Sequence, residues 1–332
     1  MTPSPHPYDA LTPDLVLDAI EAEGYRVNGR LFGLNSYENR VYQVGIEDET
    51  PVIAKFYRPQ RWSESQILEE HRFCQELVEA EIPVIAPLPL ANGQTLGHAG
   101  DFLFCLFPQR GGQAPDVSEQ DTLYRLGQWL GRIHAVGATH LFEERPTIRI
   151  VEQIDEDQRF LLDGNWIPKD LRASYETLVR DILLWCDRLV TEAGTYETIR
   201  LHGDCHAGNM LVRQEQMLFV DFDDARNGPA IQDLWLLFNG SPDEQAGQFA
   251  ELLEGYEMFR DFPYRERLLI EPLRARRLVT HTAWLAHRWE DPAFPRSFPW
   301  FGQDRFWADH ILALREQLAT LQSPALARPG QP

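Results

Sequence analysis

Two short stretches in the middle of the chain, Leu201-His-Gly-Asp-Cys-His-Ala-Gly-Asn209 and Phe219-Val-Asp-Phe-Asp-Asp224, constrain the fold more than any other feature. Their apolar leads predict two short strands, at 200–202 and 218–222, each running into a polar turn. Together the stretches set an acid, Asp204, an amide, Asn209, and a second acid, Asp221, on strand-and-turn segments. Hard oxygen donors of this kind suit a small divalent cation, and an ionised acid beside them suits the orientation of a hydroxyl.

The chain differs in kind on the two sides of these motifs. Thr12-Pro13-Asp14 starts a helix that Gly24 stops, and strands are expected at 26–32, 41–46 and 52–57. Ser63-Glu-Ser-Gln66 reads as a capping box opening a helix to about 81, with Ile67, Cys74, Leu77 and Val78 on one face. Short strands at 86–91 and 95–97 flank the Asn92-Gly93 turn, a further strand covers 101–107, and Pro108–Gly112 reads as a linker. Beyond it the periodicity is helical, at 118–136, 168–193, 230–238, 244–260, 265–289 and 304–321. The expected organisation is an α+β chain of two lobes: an antiparallel-sheet lobe with one helix at 1–108, a mostly helical lobe at 109–325, and a loose tail at 326–332.

Bulk properties exclude some classes. The 332 residues suffice for two modest domains, and a net charge of −20 disfavours nucleic acid or an anionic membrane as partner. Cys74, Cys105, Cys186 and Cys205 are scattered without a C-x-x-C pair, as in reduced cytosolic proteins. Residues 1–11 are polar and proline-rich without the apolar stretch of a signal peptide, and no apolar run approaches the roughly 18 residues of a membrane span. The expectation is a cytoplasmic monomer.

His202-Gly203-Asp204-x-x-x-x-Asn209 followed by Asp221-Phe222-Asp223 resembles the protein-kinase pattern H-R-D-x-x-x-x-N then D-F-G, with Gly for Arg and Asp for the last Gly. The resemblance implies ATP-dependent phosphoryl transfer, with Asp204 accepting or orienting the hydroxyl proton and Asn209 and Asp221 binding Mg²⁺. Asp223 and Asp224 are candidates for a second ion. Of 31 basic residues only Lys55 and Lys169 are lysine. Lys55 lies in Pro51-Val-Ile-Ala-Lys-Phe-Tyr57, which resembles the V-A-I-K strand whose lysine reaches the ATP phosphates, a task for a compact ammonium. Glu70, rather than Glu69, is expected to hold Lys55, because it stands next to the Ile67/Cys74 stripe. The segment Gly33–Tyr42 occupies the place of a phosphate-covering loop but has one glycine, leaving Ser36 and its backbone for the phosphate. Adenine is expected against backbone near Cys105 and Phe107.

With Leu126-Gly-Gln-Trp-Leu-Gly-Arg-Ile-His134 upstream, the motifs resemble the aminoglycoside phosphotransferase and choline kinase superfamily of kinase-like folds. Leu34–Tyr42, Lys55-Phe-Tyr-Arg-Pro59, Ile67-Leu-Glu-Glu-His71, Asp223–Pro229, Asp291-Pro-Ala-Phe-Pro295 and Phe298-Pro-Trp300 resemble, within it, the bacterial stress response kinase A group. That likeness implies a cytoplasmic serine/threonine protein kinase in which Asp204 is the proton acceptor, Asn209 and Asp221 bind Mg²⁺, Asp221 is also catalytic, and Ser36 lies at the ATP. A protein acceptor, possibly the chain itself, is thus the first expectation. The alternative is a small alcohol of homoserine, choline or aminoglycoside type, for which an acidic acceptor cleft would suit a cationic acceptor. Other residues have plainer readings. His202 is a buried brace, and Asp233 braces the catalytic-loop backbone. His134 is packed on a backbone group. Trp284, Trp289, Phe298, Trp300, Phe301, Phe306 and Trp307 are packing, and Arg274, Arg276 and Arg277 form a solvated or salt-bridged face.

Overall fold

The computed structural model describes residues 7–214 and 216–324, so the tail expected at 326–332 lies outside the described residues. Thr12 caps α1 (Pro13–Ala22) by accepting from Leu15 N at 3.2 Å, and Pro13 opens it where no helical bond is lost. Then come β1 (Val27–Gly33), β2 (Arg40–Ile46), β3 (Val52–Phe56), α2 (Glu64–Glu79), β4 (Gly97–Ala99) and β5 (Phe102–Pro108). The strands form one antiparallel sheet in the order β1-β2-β3-β5-β4, in which Lys55 pairs with Val41 on one side and Cys105 on the other. Side chains alternate across a strand. Val44, Ala54, Phe56, Phe104 and Leu106 therefore pack together with Val16 and Ile20 of α1, while Lys55 points from the opposite face.

Ser63 and Gln66 close the capping box of α2 in both directions, at 3.2 and 2.9 Å. Ile67 packs with Tyr57 and Cys105 under the sheet, whereas Phe73, Cys74 and Leu77 enter the helical core, so α2 bridges two cores and carries Glu70 between them. Val78, expected on the buried stripe, is exposed, and Phe73 takes the flank instead. The strand expected at 86–91 does not form. Pro87 and Pro89 offer no N–H, and the segment makes isolated bonds, Leu88 N to Leu106 O and Leu90 N to Gln94 O, both at 2.7 Å. The short strand expected at 95–97 lies instead at β4.

The remainder is α3 (Gln120–Gly137), α4 (Ile150–Asp163), α5 (Lys169–Ala193), β6 (Ile199–Leu201), β7 (Met210–Arg213), β8 (Gln216–Phe219), β9 (Arg226–Gly228), α6 (Pro242–Tyr256), α7 (Ile270–His287), α8 (Ala293–Ser297) and α9 (Asp304–Gln322). Two ribbons, β6–β9 and β7–β8, carry the motif turns. Helices α3 and α6 meet at backbone distance: a Cβ on Gly127 would come within 1.9 Å of Leu252 O, and one on Gly255 within 2.0 Å of Tyr124 O. Helix α4 carries no clear sequence signal, because its buried stripe Ile150, Ile154, Asp157, Leu161 is broken by an acid. The helix expected at 230–238 is two 3₁₀ turns, Ala230–Asp233 and Trp235–Leu237, and a 3₁₀ turn Tyr264–Leu269 precedes α7. The strand expected to 222 ends at Phe219; Asp221 has φ +60° and opens a 3₁₀ turn, Phe222–Asp224. Among the described residues no helix is long and apolar enough to cross a membrane.

Candidate active site

The turn after β6 owes its shape to Asp233. Its carboxylate accepts from His202 N and Gly203 N, both at 2.8 Å, and Gln232 Nε2 donates to Gly203 O at 2.9 Å. Drawing these two side chains onto the loop is what replaces the expected helix at 230–238 with 3₁₀ turns. Gly203 has φ +87°, and a Cβ there would meet Asp224 O at 2.0 Å, so the turn can lie flat on the Asp221–Asp224 segment only with glycine. His202 Nε2 donates to Val220 O at 2.9 Å, which ties the two motif turns together. His134, expected on a backbone group, instead bonds two side chains, Asp233 at 3.2 Å and Tyr256 Oη at 3.0 Å.

On this frame Asp204 is held by Arg277 Nη1 on Oδ1 at 2.7 Å and by His206 Nε2 near Oδ2 at 3.4 Å. Burial raises its pKa, but His206 and Arg277 outweigh that and hold the carboxyl well below the usual carboxylate range. Asn209 donates Nδ2 to Asp204 O at 3.0 Å, which leaves Oδ1 as its outward group. Asp221 is exposed, with Oδ1 3.4 Å from Lys55 Nζ. One amide oxygen and one exposed carboxylate match what a Mg²⁺ ion shared with phosphate oxygens needs from a protein. Among the described residues no three His, Cys, Asp or Glu gather as a protein-only metal cage, which such an ion does not require.

Lys55 is buried among three acids. Its Nζ lies 2.8 Å from Asp223 Oδ1, 3.4 Å from Asp221 and 4.0 Å from Glu70 Oε1. Burial lowers its pKa, yet Asp223, Glu70 and Asp221 together raise it above the ordinary lysine value. Glu70 has a closer partner in Arg145 Nη2, at 2.8 Å, while Glu69 accepts the backbone N–H groups of Glu143, Glu144 and Arg145 at 2.7, 3.0 and 2.8 Å. The two neighbouring acids thus face different tasks. Asp223, weighed as a second-ion ligand, has both oxygens on cations, Lys55 and Arg61, and Asp224 Oδ1 is shared by Arg61 and Arg226. Burial raises Asp223, but Arg61 and Lys55 hold it below the usual range.

Ser36 is half-buried in the β1–β2 loop, and its hydroxyl has no hydrogen-bond partner among the described residues. The loop is gripped by the helical lobe. Glu38 takes Trp284 Nε1 at 2.6 Å, Arg288 at 2.8 Å and Arg58 at 3.1 Å, and Tyr37 packs on Phe298 with ring centroids 4.8 Å apart. Trp284 and Phe298, read from the sequence as packing, are therefore also the anchor of this loop. Cys105 is buried with its thiol 3.3 Å from Tyr57 Oη, and Phe107 is half-buried opposite Ile53 near the end of β5. A separate cavity of about 550 Å³, lined by Ile150, Leu183, Leu184 and Tyr196 between α4 and α5, contains none of the motif residues.

Asp204, Asn209 and Asp221, with Lys55 buried on its strand, stand as the kinase resemblance leads one to expect, and residues 32–270 match the model of the phosphotransferase enzyme family. The chain belongs to that family. It is 45% identical over 326 residues, 98% of each chain, to stress response kinase A of Escherichia coli O157:H7. To the serine/threonine protein kinase RdoA of Salmonella typhimurium (strain LT2) it is 45% identical over 322 residues, 96% of each. Among solved structures, amicoumacin kinase hAmiN, in complex with AMP-PNP, Ca²⁺ and Ami, superposes with a TM-score of 0.71 at 18% identity, over 96% of this chain and 95% of that one. The phosphotransferase accordingly has the α+β, two-lobed fold expected from its sequence, with the sheet in one lobe and helices dominating the other.

Arg61, Arg145 and Arg277, which pair with the motif acids, were not singled out as site residues by sequence. Arg277 was read only as part of a solvated or salt-bridged face. With nearly every basic residue an arginine, these three carry no compositional mark.

Proposed function

We propose that this phosphotransferase moves the γ-phosphoryl group of ATP, with Mg²⁺, onto serine or threonine hydroxyls of proteins, in the cytoplasm. The single observation that carries the acceptor class is the 45% identity, over 96% of each chain, to a relative named as a serine/threonine protein kinase. Four free, buried cysteines support the compartment.

Asn209 and Asp221 would hold the ion, which when bound neutralises charge on the phosphate oxygens. Lys55, kept charged by its three acids, would pair with the α- and β-phosphates, and Ser36 would face them from the loop above. Cys105 and Phe107 would border the adenine. Asp204 stays ionised, and Oδ2, its less committed oxygen, is the one to accept the hydroxyl's hydrogen bond and then its proton. As it does so, the new bond from the hydroxyl oxygen to the γ-phosphorus forms, the bond from the γ-phosphorus to the bridging oxygen breaks and ADP leaves. Asp233 acts through the loop, fixing where Asp204 stands.

The test is transfer from γ-labelled ATP to protein acceptors and to a panel of small hydroxyl compounds, with the label located by mass spectrometry. Phosphoserine or phosphothreonine is the expected product. Label confined to small molecules would overturn the protein-kinase reading while leaving the family intact.

A further inference from the structure

Arg145 lies between α3 and α4, in a segment that is bound on two sides. Glu69 of α2 accepts its backbone N–H together with those of Glu143 and Glu144. Asn227 of β9 accepts from Phe142 N on Oδ1 and donates from Nδ2 to Phe142 O, both at 3.0 Å. The segment delivers the Arg145 guanidinium, fully buried, to the joint between α2 and the turn that follows Asp221. There it donates in two directions. Nε donates to Gln66 O and Nη2 to Glu70 Oε2, both at 2.8 Å, on the helix of the sheet lobe. Nη1 donates to Asp223 O at 3.0 Å and to Ala225 O at 2.7 Å, in the motif turn of the helical lobe.

Two of the three acids around Lys55 are thus held through one side chain, Glu70 by its carboxylate and Asp223 by its carbonyl. The same turn begins at Asp221, two residues before Asp223. Phe73 also packs on Phe222 across this joint, with ring centroids 6.0 Å apart, but apolar attraction is non-directional and lets surfaces slide. A planar fork on four acceptors fixes position as well as contact. Lys55 stands on a strand of one lobe and Asp221 on a turn of the other, so the joint sets the distance between them. Mg²⁺ demands near-ideal octahedral geometry, which makes that distance matter most when metal and phosphates are held at once. We propose that Arg145 is a positioning residue for metal-bound nucleotide: it holds α2 on the motif turn and so places Asp221 against Lys55. The inference rests on the phosphotransfer reading above and extends it to a side chain that acts through Glu70 and the turn.

Binding of a non-hydrolysable ATP analogue is measured by calorimetry with and without Mg²⁺, for wild type, Arg145→Lys and Glu69→Gln, with urea midpoints to show that each is folded. Arg145→Lys keeps the buried charge beside Glu70, but one ammonium cannot span the four acceptors. Glu69→Gln puts an N–H donor where a carboxylate oxygen accepted backbone N–H groups, which loosens the segment that carries Arg145. Wild type is expected to bind the analogue more tightly with Mg²⁺. Arg145→Lys should lose about tenfold of that gain, the scale of one charge-assisted hydrogen bond, and Glu69→Gln a smaller part. Both should match wild type when the metal is left out. A gain that survives in Arg145→Lys, or an equal loss with and without Mg²⁺ as general loosening would give, overturns the positioning role while phosphotransfer stands. Where Arg145→Lys does not fold, the Glu69→Gln result decides in the same way. A wild type that binds no analogue, or binds it no more tightly with Mg²⁺, overturns the Mg²⁺-dependent phosphotransfer reading, and the positioning role falls with it.

Discussion

Asp204 and Asp223 are two acids whose neighbours settle their protonation. Both are held below the ordinary carboxylate value, so each contributes stability that is fully present above about pH 4 and lost as pH falls further. For Asp204 the pairing with Arg277 also bears on catalysis. If Asp204 is the base proposed above, Arg277→Gln should move the acid limb of the kcat/KM profile upward, toward the ordinary carboxylate range, because one of the groups depressing Asp204 has gone. An acid limb that lies no higher than in wild type would separate Arg277 from the base. At this scale the sequence was informative where the signal was contiguous: Asp204, Asn209 and Asp221 stand in one short motif region, and Lys55 in an alternating strand. The choice of Glu70 over Glu69 came from helix periodicity, and Glu70 is indeed the one nearer Lys55, though Arg145 and Asp223 take the closest pairings. Arg145 reaches Glu70 across 75 residues of chain and Arg61 reaches Asp223 across 162, separations for which no local pattern exists.

At the scale of elements, the 3₁₀ turn that carries Asp233 rests on Glu266. That side chain is fully buried and accepts from Ile231 N at 2.9 Å, and burial pushes its pKa up to about 8. The folded state therefore holds a proton there that the unfolded chain releases near pH 4.5, so this group makes stability fall as pH rises from about 5 to 8. Glu266→Gln should flatten that slope in urea midpoints; an unchanged slope would contradict the assignment. Gly255→Ala should lower stability by about 1–3 kcal/mol or more, since its Cβ would collide with Tyr124 O where α3 and α6 touch. A melting temperature equal to wild type would show that the helices can separate freely. Elements misread from the sequence have separate local causes. Asp157 hides α4, Gln232 and Asp233 unwind the expected helix at 230–238, and two prolines undo the expected strand at 86–91.

For the whole molecule the informative contact is between lobes. Glu38 in the β1–β2 loop is bound by Trp284 and Arg288 from the far end of α7, and Arg58 of the sheet lobe meets Asp291 at 2.5 Å. The loop above the expected phosphate site is thereby tied to the helical lobe. Glu38→Gln removes the charge these donors share, worth about 1.5–3 kcal/mol for hydrogen bonds to a charged group. It should raise the KM for ATP more than it lowers kcat; equal losses in both would argue that the tie does not position the loop. Several of these residues stand in segments that carry the family resemblance, but their contact was not legible, because Glu38 and Arg288 lie 250 residues apart.

The central claim, that Asp204 is the base of a phosphoryl transfer, is met most directly by one comparison. Wild type and Asp204→Ala are titrated with ATP and Mg²⁺ by calorimetry and assayed with the same labelled ATP and acceptor. The account predicts matching ATP affinity with transfer reduced on the order of a hundred- to ten-thousandfold. Transfer persisting at the wild-type rate in Asp204→Ala would contradict it.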